Sequence, residues 1–234
     1  MQSGQIVKAL IEKLGGNFSS SLGIRLEAAD PTEIFKWFLA SILFGARISE
    51  KIAVNTYKEF ETRRILTPEK VLETGWGGLV EILDAAGYVR YDFKTATKLL
   101  ETMRNLEEKY QGNLRCLHDS GLSPSDLEKK LQALGAGIGQ VTVNIFLREL
   151  RDIWEKADPL PQGLVVIAAN NLGLVKTTAP RQVLSSLKQL WEENRIPNKR
   201  FSDFESSLVR LGKNYCRRER CAECLIKGLC SKAC

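Results

Sequence analysis

The stretch Ser123-Pro-Ser-Asp-Leu-Glu-Lys-Lys-Leu-Gln-Ala-Leu134-Gly-Ala-Gly-Ile-Gly-Gln-Val-Thr-Val-Asn144 reads as two helices joined by a tight glycine turn. Ser123 to Glu128 opens the first helix, Lys129 to Leu134 completes it, and another helix follows the glycines. Gly135, Gly137 and Gly139 cannot propagate a helix cheaply, but they let the backbone turn sharply and approach a partner closely. The second helix then points the free N–H groups of Gly139, Gln140 and Val141 outward, and an exposed helix N-terminus attracts phosphate. No strand precedes the glycines, which argues against a dinucleotide-binding turn. Taken alone, the turn is more often a plain interhelical connection than an anion site.

Helix follows helix on both sides of this turn. Residues 4 to 15 place Ile6, Leu10, Ile11 and Leu14 on one stripe and stop at Gly15-Gly16. Asp30-Pro31-Thr32-Glu33 starts a helix by its own chemistry, with Asp as N-cap, Pro in the first turn and Glu three residues after the cap. Its continuation to Phe44 is apolar nearly all round, so it must be central. Further helical segments fit 49 to 61, 68 to 74, 77 to 85, 92 to 110, 124 to 134, 140 to 155, 180 to 193 and 201 to 212. Strand alternation is nearly absent, and the run Leu164-Val-Val-Ile-Ala-Ala169 fits a short strand or a buried helix turn. The expected class is all-α. The chain has 234 residues and 44% apolar content, enough for one large core or two small ones. No run approaches eighteen apolar residues, so no membrane span is expected.

Five of the six cysteines fall in the last nineteen residues, Cys216, Cys221, Cys224, Cys230 and Cys234. Thiolates this dense point to a metal or a cluster, and the x2 gap between Cys221 and Cys224 is the usual spacing for two sulfurs on one centre. The spacing alone does not name the metal. Four-cysteine zinc sites generally use two knuckles separated by a dozen or more residues, whereas gaps of x4, x2 and x5 suit a compact [4Fe-4S] cube. Zinc ranks second. Disulfides rank last, because Met1-Gln-Ser-Gly leads into an amphipathic segment rather than an apolar signal sequence. Residues 195 to 234 hold ten Lys or Arg and four Asp or Glu, and 10 − 4 = +6 is the whole formal excess of the chain. Arg217, Arg218 and Arg220 either offset cluster charge or face phosphate.

Gly135-Ala-Gly-Ile-Gly-Gln between two helices resembles the helix-hairpin-helix motif, and Asp158 lies where an aspartate follows in that family. With the cysteine tail, the chain is similar to the endonuclease III branch of the helix-hairpin-helix base-excision DNA glycosylases, and the parts keep the family's order over most of its length. The resemblance implies a two-lobed all-α fold, with residues 29–150 as a central helical barrel and residues 1–28 plus 151–234 as a cluster-bearing lobe. It implies lesion- or mismatch-containing double-stranded DNA as partner, a target base flipped out of the duplex, and a backbone phosphate held at Gly135, Gly137, Gly139, Gln140 and Val141, often with a monovalent cation. Asp158 would stabilise the positive charge on the sugar as the N-glycosidic bond breaks; the plainer alternative is a turn cap before Pro159. Cys216, Cys221, Cys224 and Cys230 would hold the [4Fe-4S] cluster, with Cys234 as the competing fourth ligand. A monomeric, cytoplasmic, nucleoid-associated protein is expected.

Departures from the family refine this. Where bifunctional members carry a nucleophilic lysine, this chain has Val141, so hydrolysis by water without lyase chemistry is expected; Lys156 is the nearest substitute amine. The family's gap-filling glutamine is Ala46 here, which leaves Arg47 as candidate wedge, with Phe44 or Tyr88 near the pocket. The sole histidine, His118, more plausibly caps a turn than catalyses. The family's first cysteine gap is usually x6 rather than x4. Two other classes stay open: a relative that binds distorted duplex without catalysis, and an iron-sulfur redox or sensing protein on the same scaffold.

Overall fold

The computed structural model describes residues 2–232; Cys234, the competing ligand, lies outside them. The described residues contain twelve α-helices and no strand. They form two compact units, one of Leu22–Asp158 and one of Met1–Ser21 with Pro159–Cys234.

The Leu22–Asp158 unit holds α3 (Pro31–Phe44), α4 (Glu50–Thr62), α5 (Pro68–Ala85), α6 (Asp92–Tyr110), α7 (Leu114–Ser120), α8 (Pro124–Gln132) and α9 (Gln140–Arg148). Asp30 caps α3 by accepting from the amides of Thr32 and Glu33 at 2.8 and 3.2 Å, and these bonds hold its carboxyl below the usual range. With Trp37, Leu39, Ile42 and Leu43 at 0% exposure, α3 is the axis of this unit. The Trp37 indole donates to the Phe146 carbonyl at 3.1 Å and Phe38 meets the Phe146 ring edge-on at 5.1 Å, which fixes α9 against α3. The segments expected at 68–74 and 77–85 form one helix broken at Gly75, whose φ of 66° interrupts the helical path.

The unit's edges, 21/22 and 158/159, differ from the sequence division at 28/29 and 150/151. Leu22, Ile24 and Leu26 are buried, and Trp154 lies 5.4 Å from the Phe146 ring and 4.8 Å from that of His118. These contacts draw both flanking segments into the unit. They also explain why α9 stops at Arg148 instead of continuing to 155: the chain turns repeatedly through 149–158 to seat Trp154.

The second unit contains α1 (Gln2–Leu14), α2 (Phe18–Ser21), α10 (Gly163–Asn171), α11 (Pro180–Glu193) and α12 (Phe201–Asn214). Val7, Leu10, Val183, Leu187, Phe204 and Leu208 are its innermost side chains. The run Leu164–Ala169 is a helix, and α10 crosses α12 so closely that a Cβ on Gly212 would be driven into the Leu164 carbonyl oxygen. Asp203 ties α12 to the start of the chain, accepting from Asn17 N at 3.0 Å and Arg200 N at 2.9 Å.

Candidate nucleic-acid interface and cysteine site

The glycine turn is pinned from behind and open in front. Ile138 N–H closes it on the Gly135 carbonyl at 3.0 Å, and the Asn105 amide donates to the Leu134 carbonyl at 3.0 Å. A Cβ on Gly135 would stand 2.5 Å from Thr102 Oγ1, so only glycine lets the turn approach α6. Gly137 has φ +89°, in the left-handed region, with Lys98 Cε 3.0 Å from where its Cβ would be. Gly139 is the reverse: nothing lies within 4 Å of its would-be Cβ. The first helical bond of α9 runs from Val143 N–H to the Gly139 carbonyl, so the preceding amides of Gln140 and Val141 stand outside the ladder. Both residues are exposed. The Gln140 side chain is drawn back over α8, accepting from Gln132 at 2.7 Å and donating to Glu128 at 2.9 Å.

Beside the turn runs a groove of about 730 Å³. Gly45, Ala46 and Arg47 form one wall, Tyr91, Phe93, Lys94, Thr97, Lys98 and Glu101 follow α6, and Ala136 and Gly137 close the end. Arg47 is thereby exposed in the same groove as the hairpin, as a wedge or phosphate contact requires. Burial lowers the pKa of Lys98, a residue with no sequence signal because it sits in a regular amphipathic helix. Tyr88 is a core residue: its phenol donates to the Leu43 carbonyl at 3.3 Å and burial pushes its pKa up to about 12.

Asp158 is the last residue of its unit. Arg151 Nη1 meets Asp158 Oδ1 at 2.6 Å; the arginine side chain is 4% exposed and the aspartate 42%. A mostly buried guanidinium thus orients a carboxylate that still faces solvent. Lys156 turns away to donate to the His118 carbonyl at 3.1 Å, so its amine supports α7. His118 is buried against Trp154, with Nδ1 2.8 Å from Asp119 Oδ1, a structural setting.

The cysteine tail wraps a cavity of about 520 Å³ lined by Cys216, Cys221, Cys224 and Cys230. The Asn171 carbonyl at the end of α10 anchors it, accepting from Ser231 N and Lys232 N at 3.1 and 3.0 Å and from Cys230 Sγ at 3.2 Å. Burial, with the neighbouring Cys224 and Cys230, raises the Cys216 thiol pKa. Cys216, Cys224 and Cys230 are free thiols, whereas Cys221 is in a disulfide, the bond ranked last from sequence. Among the described residues no three His, Cys, Asp or Glu side chains are grouped to hold a metal ion. Four cysteines line one cavity, so the donor set is of the all-sulfur kind that zinc and iron-sulfur clusters share. Arg217, Arg218 and Arg220 are exposed and none lines the cavity.

No protein-family model and no curated protein matches the chain in sequence. Among solved structures it is similar to the H. pylori 3-methyladenine DNA glycosylase MagIII, a protein solved bound to 1,N6-ethenoadenine. The identity is 15%, the TM-score 0.55, and the match covers 91% of this chain and 98% of that one. The chain therefore shares its fold with a DNA glycosylase.

Proposed function

We propose that this protein is a base-excision DNA glycosylase of the endonuclease III-like kind, hydrolysing the N-glycosidic bond of a flipped base without lyase chemistry. The observation that carries the reading is the hairpin, with exposed Gln140 and Val141 at the start of α9, their amides outside its hydrogen-bond ladder, on a fold shared with a DNA glycosylase. As the bond breaks, its electron pair leaves with the base and positive charge builds on the sugar. Asp158, oriented by Arg151, would stabilise that charge, and water completes the hydrolysis, its hydroxyl joining the sugar carbon and its proton ending on the released base. Val141 offers no amine, and Lys156 is engaged by His118.

Cys216, Cys221, Cys224 and Cys230 would hold a [4Fe-4S] cluster once the Cys221 disulfide is reduced. When bound, the cluster would stiffen the tail and its exposed arginines against DNA.

Base release from duplexes each carrying one lesion tests the reading. The panel begins with 3-methyladenine and 1,N6-ethenoadenine, the bases named for the fold neighbour. Asp158→Asn should slow release by roughly a hundredfold or more while leaving duplex affinity intact. Equal release by wild type and variant would sink the assignment, and a borohydride-trapped adduct would contradict the hydrolytic route. A second reading, DNA binding without catalysis, is favoured by the Arg151–Asp158 ion pair, which engages the carboxylate; release of no base from the whole panel would select it.

A further inference from the structure

Gly75-Trp76-Gly77-Gly78 has no role in the chemistry above, yet the fold spends a helix break on it. Gly75 takes φ +66° in the middle of α5, and nothing lies within 4 Å of a Cβ built on Gly75 or Gly77. Trp76 is displayed between two open positions and is 45% exposed. It is not loose: its indole N–H donates to Thr97 Oγ1 at 3.1 Å, and its ring lies 5.2 Å from that of Phe93, itself 57% exposed. Thr97 and Phe93 line the groove that ends at Gly137 of the hairpin, and Trp76 stands against both of them. Arg47, Lys94 and Lys98 line the same groove against one carboxylate, Glu101. Leaving two large rings in water costs apolar burial, and the charge beside them suits an anionic chain.

We propose that Trp76 and Phe93 form a stacking platform for an unpaired base of a DNA strand whose phosphates follow Arg47, Lys94 and Lys98. A base offers a flat π-face to such a pair whatever its identity, and the cations hold the backbone on either side. The site takes single-stranded or locally opened DNA, and it rests on the reading of DNA as partner but not on Asp158.

Quenching of tryptophan fluorescence by a stacked base reports on this site, because Trp37, Trp154 and Trp191 are 0, 1 and 5% exposed and shielded from contact with it. The probes are oligothymidylate about ten nucleotides long and a chain of equal length in which every base is removed. Oligothymidylate should quench wild-type fluorescence saturably, and the abasic chain should bind about tenfold more weakly without that quench. Trp76→Leu and Phe93→Leu should each weaken oligothymidylate binding by roughly tenfold and leave abasic binding unchanged. Lys94→Ala should reduce the steepness of log affinity against log salt by about 0.7 for both probes. Equal wild-type affinity for the two probes, or variants that bind oligothymidylate as wild type does, overturns the platform. Lesion release with no such stacking leaves the glycosylase reading standing alone; stacking with no release from any lesion does the reverse.

Discussion

The hairpin at 134–140 and the cysteine tail at 216–232 are both short, poorly hydrophobic turns, but they are held in opposite ways. Thr102, Asn105 and buried Ile138 fix the hairpin from within, and its outer side at Gly139 meets nothing. The tail is anchored at Asn171 and by Ile226, 2% exposed, and bends round a cavity of about 520 Å³. The hairpin is already formed, so the phosphate contact proposed for it would cost little ordering. The tail bends round thiols instead, and a metal or cluster bound by them would add its binding free energy to the fold.

The strongest way to break this contrast is to remove the tail's sulfurs. Cys224→Ser with Cys230→Ser should abolish iron and sulfide content and brown colour, and destabilise the tail on the order of several kcal/mol. Hydrogen exchange should locate the loss in α10, α12 and the tail, with α3, α8 and α9 as protected as before. A wild-type protein carrying zinc and no sulfide would replace the cluster with a single ion. Protein with neither would leave the Cys221 disulfide as the tail's covalent staple.

Two alanine substitutions sharpen the hairpin's side of the comparison. Gly137→Ala forces a side chain into the left-handed region and against Lys98, and should cost about 1–2 kcal/mol in chemical denaturation. Gly139 has φ −92° and free space around it, so Gly139→Ala should stay within about 0.5 kcal/mol of wild type. Its methyl group nevertheless stands where a phosphate would approach the Gln140 amide. Duplex affinity should therefore fall in Gly139→Ala with no loss of stability. Unchanged affinity would remove the hairpin from the DNA interface.

Local chemistry made much of the fold legible. The Asp30 cap, the break between 74 and 77, and the span of α6 all follow from residues acting on their own backbone. Distant contacts decide the rest: α9 ends before the expected 155 because Trp154 must reach Phe146 and His118, and Leu164–Ala169, apolar all round, has no period to choose between the strand and the helix turn it fits. The site divides likewise. Gly135, Gly137 and the cysteines announce themselves by type and spacing. Arg151 reads as surface charge until Asp158 returns to it, and Trp76 reads as an ordinary aromatic until the Gly75 break displays it.

Lys98, in the groove beside the hairpin, provides the smallest test. Burial lowers its pKa, so the folded protein holds the ammonium at a cost that the unfolded chain does not bear. Below the folded pKa both states are charged and the whole cost is present. As pH rises through the folded pKa toward the ordinary lysine value near 10.4, the unfolded chain binds more protons and the cost fades. Lys98→Met keeps the aliphatic stem that packs on Gly137 and removes the charge. It should raise the denaturation midpoint at neutral pH, and that gain should shrink steadily as pH climbs above the folded pKa. The same variant should bind DNA more weakly at every pH where wild-type Lys98 is charged. A stability gain with unchanged DNA affinity would make Lys98 a buried cation with no phosphate to hold; a loss of both would mean its ammonium is a structural anchor for the hairpin.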